Sequence, residues 1–149
     1  QHSPLISVET YREMIKPVHI ELISYIKKRT NAKVWFHSCG DTYIFFFFFF
    51  YAGIDILNHI QPVNEDYPAE KLKQEFGKEL SFHGGIDIQK VLNQDNVELL
   101  EKEIKEKITA LGKNGGYIVA PTHHLQADTK PEMVDKYFEL IEKYRHYPL

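Results

Sequence analysis

A chain of 149 residues, 43% hydrophobic and with a formal net charge of −3, is sized and composed for one ordinary globular domain. The mild negative charge leaves no basic footprint for nucleic acid, and the longest apolar run is too short to span a bilayer. One cysteine excludes an internal disulfide framework and suits a reducing cytoplasm. A signal peptide would need a basic segment followed by an apolar one, and none is visible. A start at Gln1 rather than Met points to sequence missing upstream.

In chain order, Ser7 is placed to cap a helix, with Glu9 in the first turn where the dipole favours an acid. Helix is expected over about 8–29, with Met14, Val18, Leu22, Tyr25 and Ile26 at helical spacing and Pro17 kinking or dividing it. Lys27, Lys28 and Arg29 complement its C-terminal dipole and read as a solvated face. Residues 33–37 have the β-branched and aromatic character of a strand, and Gly40 then lets the backbone turn. A helix is expected over 42–52, ending at Gly53.

That helix contains six consecutive phenylalanines, residues 45–50, which cannot all face a core. A wholly buried segment, an interface helix or a flaw in the sequence would each account for them. The last is preferred, and the run is assigned no chemistry. Further strands are expected at 54–58, 80–83 and 116–120. The loop 59–66 leads to a short helix over 68–76 that Gly77 ends. A turn of helix is expected at 88–92, then a helix capped by Asp95 or Asn96 and running to about Leu111. Val97, Leu100, Ile104 and Ile108 line one face of it, and Glu101, Glu103, Lys105 and Lys107 a solvated one. Pro131 opens the last helix, which runs to about Tyr147.

A helix followed by four strand–helix units means parallel strands with helices outside. A doubly wound sheet and part of a (β/α)8 barrel both fit, and no strand is followed by Gly-x-Gly-x-x-Gly. The unusual polar residues all follow strands: His37 and Cys39, then Asn58, His59 and Gln61, then His83 and Asp87, then His123, His124 and Gln126. In a parallel α/β fold those loops share the face that carries ligands. His37 and Cys39, two apart in extended chain, point the same way, and imidazole and thiolate are the usual zinc ligands. His123 or His124 would complete a three-ligand set. Blander readings stand beside these. Cys39 could be a free core cysteine beside a carbonyl-bonded histidine, and His59 a plain loop residue. His83 could cap its strand, and Asp87 the turn after it. His19 carries no signal.

Several motifs occur together and in order. They are Pro4-Leu5-Ile6-Ser7 with Tyr11-Arg12-Glu13, Phe36-His37-Ser38-Cys39-Gly40, Ala52-Gly53-Ile54-Asp55-Ile56-Leu57-Asn58 with Gln61-Pro62, and Phe82-His83-Gly84-Gly85-Ile86-Asp87. Gly115-Gly116-Tyr117-Ile118, Ala120-Pro121-Thr122-His123 and Pro131-Glu132 complete the set. With them the chain resembles the C-terminal half of the uroporphyrinogen decarboxylase superfamily, which includes corrinoid-dependent methyltransferases. The resemblance implies an α/β fold, the second half of a (β/α)8 barrel, filling 1–149 as a partial domain.

Within that superfamily, His37 and Cys39 match two zinc ligands of the methyltransferase branch, and the third, a cysteine there, falls at His123. Asp87 matches an Asp found after the equivalent strand across the superfamily and is expected with His83 to serve catalysis, and Asn58, Gln61, His124 and Gln126, which also follow strands, are expected to bind substrate. It implies Zn2+ as cofactor and a corrinoid (cobalamin) carried on a partner protein. The small-molecule partner would be a methyl donor or a thiol acceptor. A non-thiol donor such as an aryl methyl ether or a methylamine is favoured, because His123 departs from the thiol-using pattern. The alternatives are a metal-free decarboxylase, with His123 binding substrate carboxylates, and an inactive half barrel that assembles through its Phe-rich edge. A half barrel leaves two edge strands open. Pairing with a second copy or with the missing half, and low activity alone, are therefore expected.

Overall fold

A computed structural model of the protein describes residues 4–39, 42–60 and 68–146. Ser7 caps the first helix as expected, its Oγ accepting from Thr10 N–H at 3.1 Å. The expected single long helix is divided into α1 (Val8–Thr10), a π-helical stretch (Tyr11–Ile15) and α2 (Lys16–Lys27). Pro17 lacks an N–H and crowds the carbonyl four residues back, so the ladder widens to π spacing just before it. The buried face moves with it. Tyr11 and Ile23 are buried and Ile15 half-buried, whereas the expected core positions Met14, Val18, Leu22 and Tyr25 lie exposed.

Four strands follow: β1 (Trp35–His37), β2 (Ile56–Ile60), β3 (Ser81–Ile86) and β4 (Tyr117–Pro121). Between them stand a 3-10 turn (Tyr43–Phe45) running into α3 (Phe46–Ala52), then α4 (Ala69–Phe76) and α5 (Val97–Gly112). The chain closes with α6 (Pro131–Tyr144). All three neighbouring strand pairs are parallel, in the order β1-β2-β3-β4. A doubly wound sheet reverses strand order at a switch point. An unreversed order with a helix after each strand is a sector of a (β/α)8 barrel, which decides between the two architectures left open by the alternation.

Each strand sits slightly later than expected, and His59 falls inside β2 rather than in the loop after it. Residues 88–92 form turns, not helix. Gly53 ends α3 in the left-handed region at φ 92°, as a glycine there should. Asn96, not Asp95, caps α5, its Oδ1 accepting from Leu99 N–H at 2.9 Å. Gly40 and Tyr147 lie outside the described residues.

The phenylalanine run divides by helical geometry. Phe45, Phe46 and Phe49 enter the core, Phe48 is half-buried, and Phe47 and Phe50 stay exposed beside Tyr51. The buried three join Tyr11, Ile23, Leu57 and Phe82 in an aromatic cluster under β1 and β2. A second, largely aliphatic cluster lies under β3 and β4, where Leu100, Ile104 and Ile108 of α5 meet Met133, Tyr137 and Leu140 of α6. Glu103, expected on a solvated face, is buried instead and accepts from Asp87 N–H at 2.9 Å. Burial raises its pKa more than that bond and the nearby Lys107 lower it.

At the amino ends of β1 and β2, Asp55 accepts from Val34 N–H at 2.8 Å and pairs with Lys27 at 2.9 Å. Lys27 thus belongs to a structural clamp rather than to a purely solvated face. Burial pushes the Asp55 carboxyl up, but the Val34 bond together with Lys27 and Lys33 outweighs it, so the pKa lies below the ordinary value.

Candidate functional site

The strand registers pair Trp35 with Ile56, His37 with Asn58, Asn58 with His83, and His83 with Ile118. Side chains alternate along a strand, so these residues share the sheet face opposite the helices. Phe36, Leu57 and Phe82 point the other way, into the aromatic cluster. The polar residues crowd toward the carboxyl ends of the strands, where barrel sites form.

A chain of hydrogen bonds links three of the four strands. His37 Nε2 lies 3.0 Å from Cys39 Sγ. The other nitrogen of that ring, Nδ1, makes a short hydrogen bond with Asn58 Oδ1. Asn58 Nδ2 then reaches His83 Nδ1 at 2.7 Å. Asn58 is buried, and its carboxamide engages a histidine at each end. His83 also lies against the Trp35 ring, 4.8 Å between centroids. Burial lowers the pKa of His83, more than its own backbone bond raises it, so the neutral imidazole is favoured.

The other sequence candidates divide. His123, exposed just beyond β4, has its ring 6.3 Å from that of His37 and 5.2 Å from that of His124. Gln126 donates to the His124 carbonyl at 3.0 Å. Asp87 takes the capping geometry, its Oδ1 accepting from Gln89 and Lys90 N–H at 2.7 and 3.0 Å. It lines a surface cleft with Lys90, Glu103 and Lys107. Gln61 lies outside the described residues.

Two contributors carried no functional signal in the sequence. Trp35 was read only as a strand former, although period-two alternation already sets it on the face of His37. His19 lines a largely apolar cavity of about 250 Å3 with Tyr11, Phe36, Ser38 and Cys39. Its Nδ1 pairs with Tyr11 Oη at 2.9 Å, and burial lowers its pKa. The helical segment that carries Tyr11 and His19 meets the end of β1 there, and no local pattern announces it.

Among the described residues, no three of His, Cys, Asp and Glu are placed to hold a metal ion. The donor pair nonetheless suits zinc. Tetrahedral zinc holds a sulfur and a nitrogen ligand roughly 3.6 Å apart and two imidazole centres roughly 5 Å apart. Cys39 Sγ and His37 Nε2 stand 3.0 Å apart and the His37 and His123 rings 6.3 Å apart. The Asn58 bond to Nδ1 orients the His37 ring in the way that an outer-shell partner orients an imidazole bound to a metal.

A barrel sector with imidazoles and a thiol at its strand ends defines the class of protein. The family follows from the sequence as a whole: the uroporphyrinogen decarboxylase (URO-D) family model matches residues 2–144, and the chain belongs to that family. A methyltransferase from Methanosarcina mazei has a similar structure, with a TM-score of 0.76 at 20% identity over 97% of this chain. At that identity the likeness is one of fold, and the chain spans 40% of that protein's length. None of the curated proteins compared matches the chain. No helix among the described residues is long and apolar enough to cross a membrane.

Proposed function

We propose that this chain belongs to a methyltransferase that moves a methyl group between a small methylated substrate or thiol and a corrinoid on a partner protein. A zinc ion would be held by His37, Cys39 and His123. The observation that carries the reading is the facing pair of Cys39 Sγ and His37 Nε2, 3.0 Å apart at the carboxyl end of β1. A decarboxylase without metal has no use for that pair.

Zinc bound there would supply Lewis acidity, either holding a thiol acceptor as thiolate or polarising a methyl donor. The chain's own residues supply the rest. Asn58 holds the His37 ring, and Trp35 covers one side of His83. The cavity beside Cys39 offers a largely apolar seat. Its described lining residues carry no lysine, arginine, aspartate or glutamate, which suits the uncharged end of a methyl donor better than an ion.

Metal analysis of the purified protein tests this, with Cys39→Ala and His123→Ala alongside. About one zinc per chain in the wild type, lost in both variants, is expected. Loss in Cys39→Ala alone would remove His123 from the ligand set. A folded wild type that takes up no zinc would overturn the metal mechanism and leave the metal-free decarboxylase and the inactive half-barrel readings.

A further inference from the structure

The carboxamide of Asn58 touches both His37 and His83, and its two ends differ chemically. Its oxygen only accepts and its nitrogen only donates. Oδ1 meets His37 Nδ1, and Nδ2 meets His83 Nδ1 at 2.7 Å. Two histidines bonded through the same ring atom are therefore asked for opposite things. His37 must carry its proton on Nδ1 to donate to Oδ1. His83 must leave Nδ1 bare to accept from Nδ2.

We infer that Asn58 is a positioning residue that gives His37 and His83 opposite neutral tautomers, so that one acts as a ligand or acceptor and the other as a hydrogen-bond donor. In His37 the lone pair falls on Nε2, the atom facing Cys39 Sγ at 3.0 Å. That is the state an imidazole needs to bind a metal. In His83 the proton falls on Nε2, which makes it a donor for an acceptor atom of a substrate, such as an ether oxygen. An aspartate at position 58 could accept from both rings but donate to neither, and a leucine could do neither. Burial of Asn58 keeps water from substituting for either bond.

The inference rests on the zinc reading for its consequence at His37, but the tautomer assignment stands apart from it. Long-range proton–nitrogen NMR of the histidine rings, in alkaline buffer, reads the assignment directly in metal-free protein. The wild type is expected to show His37 protonated on Nδ1 and His83 on Nε2. In Asn58→Asp, both are expected on Nδ1. Zinc affinity, read by competition with a chromogenic chelator, is expected to fall about 10–100-fold in Asn58→Leu and to be retained in Asn58→Asp. The same tautomer on both rings in the wild type would overturn the inference, as would unchanged zinc affinity in a folded Asn58→Leu. A wild type that binds no zinc would defeat the proposed function, while the tautomer pair would still decide the role of Asn58.

Discussion

The two faces of the sheet are built on opposite terms. On the helix side, Leu57 and Phe82 are 1% and 0% exposed, sealed beneath the aromatic cluster. On the other side, Trp35 of β1 and Ile118 of β4 are 59% and 46% exposed, and between them Asn58 hydrogen-bonds to His37 and His83. The helix face holds the fold together. The inner face, whose geometry the helix face fixes, is left to carry chemistry. The two ends of the strands repeat the division, with a charged clamp at Asp55 below and the thiol and imidazoles above.

The comparison breaks most sharply if the helix face is emptied. Phe82→Ala removes a fully buried ring and is expected to cost about 3–5 kcal/mol in denaturant unfolding. A loss below 1 kcal/mol would mean that the helices do not seal that face. Gly85→Ala comes next. Gly85 sits at φ +101° and an added Cβ would lie 3.0 Å from Tyr117 Oη, so about 1–2 kcal/mol of destabilisation is expected by thermal melting.

Asp55→Asn tests the clamp and is expected to cost about 1.5 kcal/mol at neutral pH. The folded Asp55 pKa is depressed, so its contribution is present above the unfolded carboxylate pKa and is lost as pH falls through the folded value. Unfolding measured from neutral to acidic pH should show the gap between wild type and Asp55→Asn closing. A gap that stays constant would exclude a charged clamp.

On the inner face the expected changes in stability are smallest. Trp35→Ser should shift unfolding by no more than about 0.5 kcal/mol. Cys39→Ala should do likewise while abolishing zinc uptake. If either were as destabilising as Phe82→Ala, the inner face would be part of the core, and the division would fail.

Most of the site's location was legible in the sequence, and most of its wiring was not. His37, Asn58, His83 and His123 could be assigned to one rim because loops after parallel strands share an end. That Asn58 bridges His37, 21 residues away, and His83, 25 residues away, depends on how three strands register, which no single strand's pattern encodes. Glu103 misled for the same reason, since its place on α5 looks solvated until the Asp87 backbone arrives against it.

Local chemistry by itself thus determined the alternation of strands and helices, the caps at Ser7 and Gly53, and the strand ends that gather the thiol and imidazoles. Each of these follows from residues within a turn or two of one another. Only the tertiary structure decided the barrel-like strand order, the rotation of the α2 face by the π-helical turn, and the Cys39–His37–Asn58–His83 chain. Those depend on contacts between segments far apart in sequence, whose meeting is set by packing of the helix face rather than by any local preference.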